Sequence, residues 1–289
     1  MNEKVVCVIL NYNDAQTTIS LVEHIQYFDS LAHIVVVDNK STDESYEKLK
    51  QYGSSKITIL QSQKNGGYGY GNNVGIQYAK QKLNADYVLV ANPDVIFENN
   101  FICALLETFK QHPNAAVVSA PQSNSTDKAW KNVGVLKTVL ATSLFFEIWL
   151  KIRCYPASYF KNKKEVQVFA VPGSLLLVDV EKMMSVGGYD EDFFLYYEEP
   201  ILGEKFASKG YETWLNLKTN YIHNHHVSIR KTYKRWSEQH KILLNSLEQF
   251  LKKYKNVGKM KICFSKIWFS YTRFEFYLYD LVQSIRTKW

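Results

Sequence analysis

"HIVVVDNKSTDESYEKLKQYGSSKITILQ", His33 to Gln61, packs a strand, a helix and a second strand into 29 residues. Ile34 to Val37 form an unbroken apolar run, the pattern of a strand covered on both faces. "STDESYEKLKQYG" follows with Ser41 as an expected N-cap, acids in the first turn, lysines in the last and Gly53 as a stop. "KITILQ" then resumes the β pattern. The alternation continues outward. Upstream, "VVCVIL" (Val5–Leu10) reads as a buried strand, and the stretch after it spaces Ile19, Val22, Ile25 and Phe28 as one helical face. Downstream, a glycine-rich loop, "NGGYGYGNNVG" (Asn65–Gly75), leads into a helix expected to begin at Asn72. A fourth strand, "DYVLVANPDV", ends in Asn-Pro-Asp; the helix "FICALLETFKQH" and the short strand "AAVVSAP" follow. Repeated strand–helix units predict an α/β fold: a doubly wound, mostly parallel sheet with helices on both faces.

Such sheets bind ligands beyond the carboxyl ends of their strands. Asn11, Asn13, Asp38, the glycine loop and Asp94 all fall at such ends and are expected to line one cleft. The loop fits neither familiar phosphate motif. Val74 stands where G-x-G-x-x-G needs its last glycine, the loop follows the third strand rather than the first, and no Lys-Ser or Lys-Thr pair closes it. The remaining readings are a nucleoside-diphosphate sugar held close to backbone, or a glycine-rich turn at a tight helix–strand contact.

Composition limits the class. An apolar content of 46% supports a substantial core. The charge is uneven: Arg230–Trp289 carries 14 Lys/Arg against 4 Asp/Glu, a balance of +10, whereas the whole chain sums to +7. Acids interrupt this basic tail and it lacks a recognition motif, which argues against nucleic acid as a partner. Cys7, Cys103, Cys154 and Cys263 are scattered without metal spacing, three of them in apolar surroundings, as expected of reduced thiols in a cytoplasmic protein. The N-terminal stretch has no secretory-signal pattern, and no apolar run reaches the ~18–20 residues of a spanning helix.

"LNYND", "VVVDNKSTDES", "NGGYGYGNNVG", "NPDV" and "FFLYYEE" come in this order at plausible intervals. The series resembles the family 2 inverting glycosyltransferases, in particular the rhamnosyltransferase-like branch of bacterial surface polysaccharide synthesis, over about residues 4 to 230. The resemblance implies a GT-A fold, a divalent metal (Mg²⁺ or Mn²⁺) at the donor's diphosphate, and a nucleoside-diphosphate sugar donor such as dTDP-rhamnose or a UDP-sugar. It implies a glycan or lipid-linked glycan as acceptor. By that resemblance Asn11, Asn13, Asp38, Asn65, Gly66, Gly67, Gly71, Asn72, Asn73 and Asn92 would surround the donor, with Asp38 accepting from the pyrimidine N–H. Asp94, last residue of a D-x-D-like triplet whose first acid is here Asn92, would bind the metal with His223; His225 and His226 are further candidates. Glu198-Glu199 would hold the catalytic base, Glu199 foremost, with Pro200 expected to keep it out of helical geometry. The usual second acid of that segment is missing, because Ile201 and Leu202 follow the proline.

Residues 122–165 give no clear pattern. The domains expected are 1–230, catalytic, and 231–289, a helical basic and aromatic extension. In the extension Leu243, Leu247, Phe250, Leu251 and Tyr254 share one helical face, and Phe264, Ile267, Trp268, Tyr271, Phe274, Leu278, Leu281 and Ile285 recur at similar spacing. Lysine-flanked apolar stripes suit a helix lying on the inner face of the cell membrane, or one packed on the catalytic domain or on a second copy. Two rival functions remain. A sugar nucleotidyltransferase would show a basic glycine-rich loop after the first strand, which is absent; a non-catalytic nucleotide-sugar-binding scaffold would bind donor without transferring it.

Overall fold

The computed structural model describes residues 3–123, 129–146, 153–224 and 235–286. The strand–helix series begins β1 (Val5–Asn11), α1 (Ala15–Ile25), β2 (His33–Asp38), α2 (Ser45–Lys50), β3 (Ile57–Gln61), α3 (Gly67–Leu83) and β4 (Tyr87–Ala91). Then come β5 (Val95–Ile96), α4 (Asn99–Gln111), β6 (Ala115–Ser119), α5 (Val135–Leu140) and α6 (Ala157–Phe160). After these follow β7 (Glu165–Val168), β8 (Leu175–Asp179), α7 (Val180–Ser185), α8 (Glu198–Ser208), β9 (Glu212–Asn216) and β10 (Ile222–His223). Two long helices close the chain, α9 (Trp236–Lys253) and α10 (Lys259–Arg286).

Among the described residues eight strands form one sheet in the order β3-β2-β1-β4-β8-β6-β9-β7. The half built from β3, β2, β1 and β4 is parallel throughout. The other half is mixed: β8 runs antiparallel to both β4 and β6, and β7 antiparallel to β9. The expected doubly wound, mostly parallel sheet is therefore present, with its antiparallel strands in the part whose sequence alternates least clearly. Alternate residues of β1 feed two cores. Val5, Cys7 and Ile9 meet α1 and α4, through residues such as Val22, Ile25, Phe101 and Leu105. Val6 and Val8 meet α3, α7 and α8, through Ile76, Met183 and Phe206. Each such buried side chain contributes roughly 1.5–3 kcal/mol.

The glycine-rich stretch is not a loop. From Gly67 onward it is the first turns of α3, so Gly67, Gly71, Asn72 and Asn73 are helical, and only Asn65 and Gly66 precede it. The reason is packing. A Cβ on Gly75 would lie 2.4 Å from Val8 Cγ1, and one on Gly71 2.2 Å from Leu10 Cδ1. Gly67, at φ +90°, lies against the backbone of Phe194. The glycines let α3 settle directly onto β1 and onto the segment before α8. The tight helix–strand contact, one of the two readings open for this stretch, thus accounts for its composition.

A second correction concerns Glu199. Glu198, Glu199 and Pro200 all belong to the first turn of α8, where the missing proline N–H is not needed. The first bond of the helical ladder runs from the Ile201 N–H to the Tyr197 carbonyl (3.0 Å). The non-helical residues are instead Tyr196 and Tyr197, both left-handed at φ 70° and 73°.

Candidate active site

Asn11 and Asp38 are register partners at the carboxyl ends of β1 and β2. The Asn11 amide donates to Asp38 Oδ1 (2.9 Å), and its carbonyl accepts from the Thr18 hydroxyl (2.9 Å). The Ser41 hydroxyl donates to Oδ1 (2.5 Å), the Ser41 N–H to Oδ2 (3.0 Å) and the Gln61 amide to Oδ2 (3.3 Å). Four donors saturate a carboxylate. A base N–H that reaches buried Asp38 must replace one of them, and the Gln61 bond is the longest. Ser41, expected to cap α2, thus serves Asp38; α2 starts four residues later, where Asp43 accepts from the Ser45 N–H (2.9 Å). Asn13, left-handed at φ 52°, ties the two loops together, accepting from the Thr42 N–H (2.8 Å) and donating to the Thr42 hydroxyl (3.0 Å).

At the start of α3, Asn65 Oδ1 accepts from the Gly67 N–H (3.2 Å) and from the Asn39 amide (3.1 Å). The buried Asn72 amide donates to the Tyr68 carbonyl one turn back (3.0 Å). Asn73 donates to the Tyr189 carbonyl (3.0 Å) and Glu191 Oε1 (2.8 Å) and accepts from the Tyr189 N–H (2.8 Å). Asn73 therefore pins the turn that leads toward α8, a role its sequence position did not reveal.

Asp94 follows β4 and is buried. The short antiparallel pair β5–β10 sets His223 beside it, with His223 Nε2 3.1 Å from Asp94 Oδ1. Asp94 also lines a cavity of about 370 Å³ together with Thr17, Ser20, His24 and Asn224. Among the described residues no three His, Cys, Asp or Glu side chains converge as a metal cluster. The Asp94–His223 pair offers one oxygen and one nitrogen, which suits a divalent ion whose other positions are filled by ligand oxygens and water. His225, His226, Arg230 and Lys231 lie outside the described residues.

Glu199, in the first turn of α8, meets the peptide that precedes β8. The Gly173 N–H donates to Glu199 Oε1 (3.2 Å), and the Gly173 carbonyl accepts from the Tyr68 hydroxyl (2.7 Å). A Cβ at Gly173 would lie 2.9 Å from that Oε1, so a larger residue there would make the carboxylate shift. The next residue, Ser174, takes the Asn92 N–H on its carbonyl (2.8 Å) and shares a hydrogen bond with the Tyr221 hydroxyl (2.8 Å). The Asn92 backbone and Glu199 thereby meet one dipeptide, whereas Asp94 and Glu199 line separate cavities. Glu198 is 8% exposed, and among the described residues its Oε1 has no hydrogen-bond partner. Burial, reinforced by the charge of Glu199, pushes the Glu198 carboxyl up to about 8. Burial raises Glu199 as well, opposed by backbone N–H groups including that of Gly173 and by the charge of Arg153. Two neighbouring carboxyls raised by burial are suited to general acid–base work.

Glu199 also lines a cavity of about 300 Å³. Trp130, Arg153 and Tyr196 contribute from the sheet side of the chain, and Leu243, Phe250 and Lys255 from the C-terminal segment. Sequence reasoning missed Gly173, Ser174, Tyr221, Trp130 and Arg153. The Pro172-Gly173 pair was the available signal for a functional turn; Trp130 and Arg153 lie in the stretch without a readable pattern.

Residues 6–178 match the family described as Glycosyl transferase family 2. The low-salt glycan biosynthesis hexosyltransferase Agl10 of Haloferax volcanii is 31% identical over 193 residues, 66% of this chain and 58% of that protein. The N-acetylglucosaminyl-diphospho-decaprenol L-rhamnosyltransferase of Mycobacterium tuberculosis is 26% identical over 64% of this chain and 62% of its own length. The chain thus spans about three fifths of these two relatives. The mannosyltransferase PcManGT of Pyrobaculum calidifontis, solved with GDP-Man and Mn2+, superposes with a TM-score of 0.60 at 14% identity, over 94% of this chain and 71% of that one. That likeness is one of fold, and it is the GT-A fold. With well over half of its length in the match, the chain belongs to glycosyl transferase family 2.

Proposed function

We propose that this protein transfers a sugar, with inversion, from a nucleoside-diphosphate sugar to a hydroxyl of a glycan or lipid-linked glycan in surface polysaccharide synthesis. The observation that supports this reading is the meeting of the Asn92 backbone and Glu199 at the Gly173–Ser174 dipeptide, two residues before the Asp94 that pairs with His223. Glu199 accepts the proton of the acceptor hydroxyl. That oxygen forms its bond to the anomeric carbon as the bond from that carbon to the diphosphate oxygen breaks on the opposite face. Asp94 and His223 would hold Mg²⁺ or Mn²⁺, which when bound supplies positive charge to the leaving diphosphate. Asn11, Asp38, Asn65 and Asn92 frame the donor side, with dTDP-rhamnose or a UDP-sugar as donor; the rhamnosyl and hexosyl relatives support this class. Residues 1–230 form the catalytic domain in this reading. The tail from 231 holds the enzyme on the inner face of the membrane. Among the described residues no helix is long and apolar enough to cross a bilayer.

The test is transfer by the full chain across dTDP-, UDP- and GDP-sugars with Mn²⁺, alongside Glu199→Gln. A general base contributes roughly 10²–10⁴-fold, so the variant should lose that much rate while keeping its nucleotide-induced thermal shift. A variant as fast as wild type removes Glu199 from the role. Nucleotide binding without transfer by the wild type on any donor and acceptor would favour a scaffold.

A further inference from the structure

Asn11, Asp38 and Gln61 are register partners across β1, β2 and β3, so the carboxyl ends of three parallel strands set them in one row. The row runs from the interior to water. Asn11 and Asp38 are buried, whereas Gln61, at the end of the edge strand β3, is exposed. The four donors on Asp38 are not held alike. The Asn11 amide is fixed from its other side, where its carbonyl accepts from the Thr18 hydroxyl (2.9 Å). Ser41 gives Asp38 both its hydroxyl and its N–H, and the same hydroxyl accepts from the Asn13 N–H (2.9 Å), in a turn that Asn13 and Thr42 tie down. Gln61 reaches Asp38 Oδ2 from the solvent side through a long side chain, by the longest of the four bonds (3.3 Å). It is the member of the set that can yield without disturbing a loop or the core.

We infer that Gln61 selects the donor's base by exchange: it gives up its place on Asp38 Oδ2 to a base N–H and turns the released amide N–H to the ring carbonyl beside that group. The chemistry this fits is an imide, the N–H between two carbonyls found in uracil and thymine. A glutamine amide has two donor hydrogens and needs an acceptor for the one it takes from the carboxylate. The imide offers a carbonyl on either side of its N–H, so one is in reach whichever way the ring is turned, and each bond broken is matched by one formed. A cytosine in the same place turns an unprotonated ring nitrogen toward Asp38, acceptor against acceptor. A ring methylated at that nitrogen brings no donor to Oδ2 and leaves Gln61 where it stands. Gln61 is in this account a residue that sets specificity and takes no part in the chemical step. The exchange rests on the proposed transferase reading, in which a nucleoside-diphosphate sugar binds at the carboxyl ends of β1 and β2.

The experiment measures binding, so it does not depend on turnover. UDP, dTDP, their N3-methylated counterparts, CDP and GDP are titrated calorimetrically into the full chain with Mn²⁺. UDP or dTDP should bind at least tenfold tighter than its N3-methylated counterpart and than CDP, because a site built around an N–H rejects a ligand that lacks it. Gln61→Met keeps the reach of the side chain and removes its donor. It should weaken UDP or dTDP at least fivefold and leave the N3-methylated ligand bound as in wild type; the ratio of the two within one protein is independent of how much of it is folded. Tighter UDP or dTDP binding by the variant would make Gln61 a competitor of the base and overturn its role as a reader. Equal losses on the parent and methylated ligands, equal binding of both by wild type, or a wild-type preference for CDP or GDP would overturn it as well. Transfer of a sugar without this signature removes the exchange alone. The signature without transfer on any donor removes the transferase reading and leaves the base site standing, and binding of none of these nucleotides removes both.

Discussion

At the scale of single residues the decisive feature is a carboxyl pair held where water is scarce. Glu198 is buried, one of its oxygens has no hydrogen-bond partner among the described residues, and its carboxyl is pushed up to about 8. The folded chain therefore keeps a proton that the unfolded chain releases near pH 4.5. The stability this contributes is complete below pH 4.5 and is lost as the pH rises toward 8. Glu198→Gln should flatten that slope and raise stability at pH 8, by on the order of a few kcal/mol, measured as urea midpoints from pH 5 to 8.5. A variant whose midpoint falls in parallel with wild type would dismiss the buried-proton account. Much of this site was legible in the sequence, since adjacent glutamates before a proline and a short helix are a local pattern. Asp94 and the carboxyl ends of β1 and β2 were legible for the same reason. Gly173 was not: its importance comes from a carboxylate 26 positions away, and spacing along the chain carries no trace of that contact. Nor was the saturation of Asp38, which depends on where a loop hydroxyl turns.

At the scale of elements, period-2 and period-3.6 patterns located the strands and helices of the first 120 residues because each buries one face or both. The glycine stretch reads as a loop in sequence because glycine is a poor helix former in isolation. Here close approach outweighs propensity: α3 lies so near β1 that Gly75 has no space for a methyl group beside Val8. Gly75→Ala should therefore destabilise by about 1–3 kcal/mol, despite a gain of about 1 kcal/mol in helix propensity. Denaturant unfolding decides the sign, and a net stabilisation would mean that the helix can move away from the sheet at little cost. The same closeness carries the Tyr68 hydroxyl to the Gly173 carbonyl, so α3 supports the peptide that holds Glu199.

At the scale of the whole molecule, the two faces of the C-terminal helices differ. α9 is part of the core: Leu244, Leu247, Phe250 and Leu251 pack with Phe193, Tyr197 and Ile201. α10 turns Ile262 and Phe269 to that cluster. It exposes Met260, Phe264, Ile267, Tyr271, Phe274, Leu278, Leu281 and Ile285, a stripe about 40 Å long. Both acids of α10 face inward. Asp280 accepts from the Trp236 and Ser237 N–H groups (both 3.0 Å), and Glu275 from the Ser143 hydroxyl and the Leu144 and Phe145 N–H groups (all 3.2 Å). The outer charges left on α10 are basic, which matches an anionic bilayer better than a like-charged second copy. Phe264→Glu/Phe274→Glu should reduce cosedimentation with phosphatidylglycerol vesicles at least tenfold. Loss of a dimer instead, by sedimentation velocity, would assign the stripe to self-association. Because Tyr197 rests on Phe250 at a ring separation of 5.1 Å, and the cavity at Glu199 draws lining from both halves, the chain cannot be divided at residue 230 without opening that cavity. A chain truncated after residue 230 should therefore expose Phe193, Tyr197 and Ile201 to water and lose its cooperative unfolding transition, which circular dichroism would record.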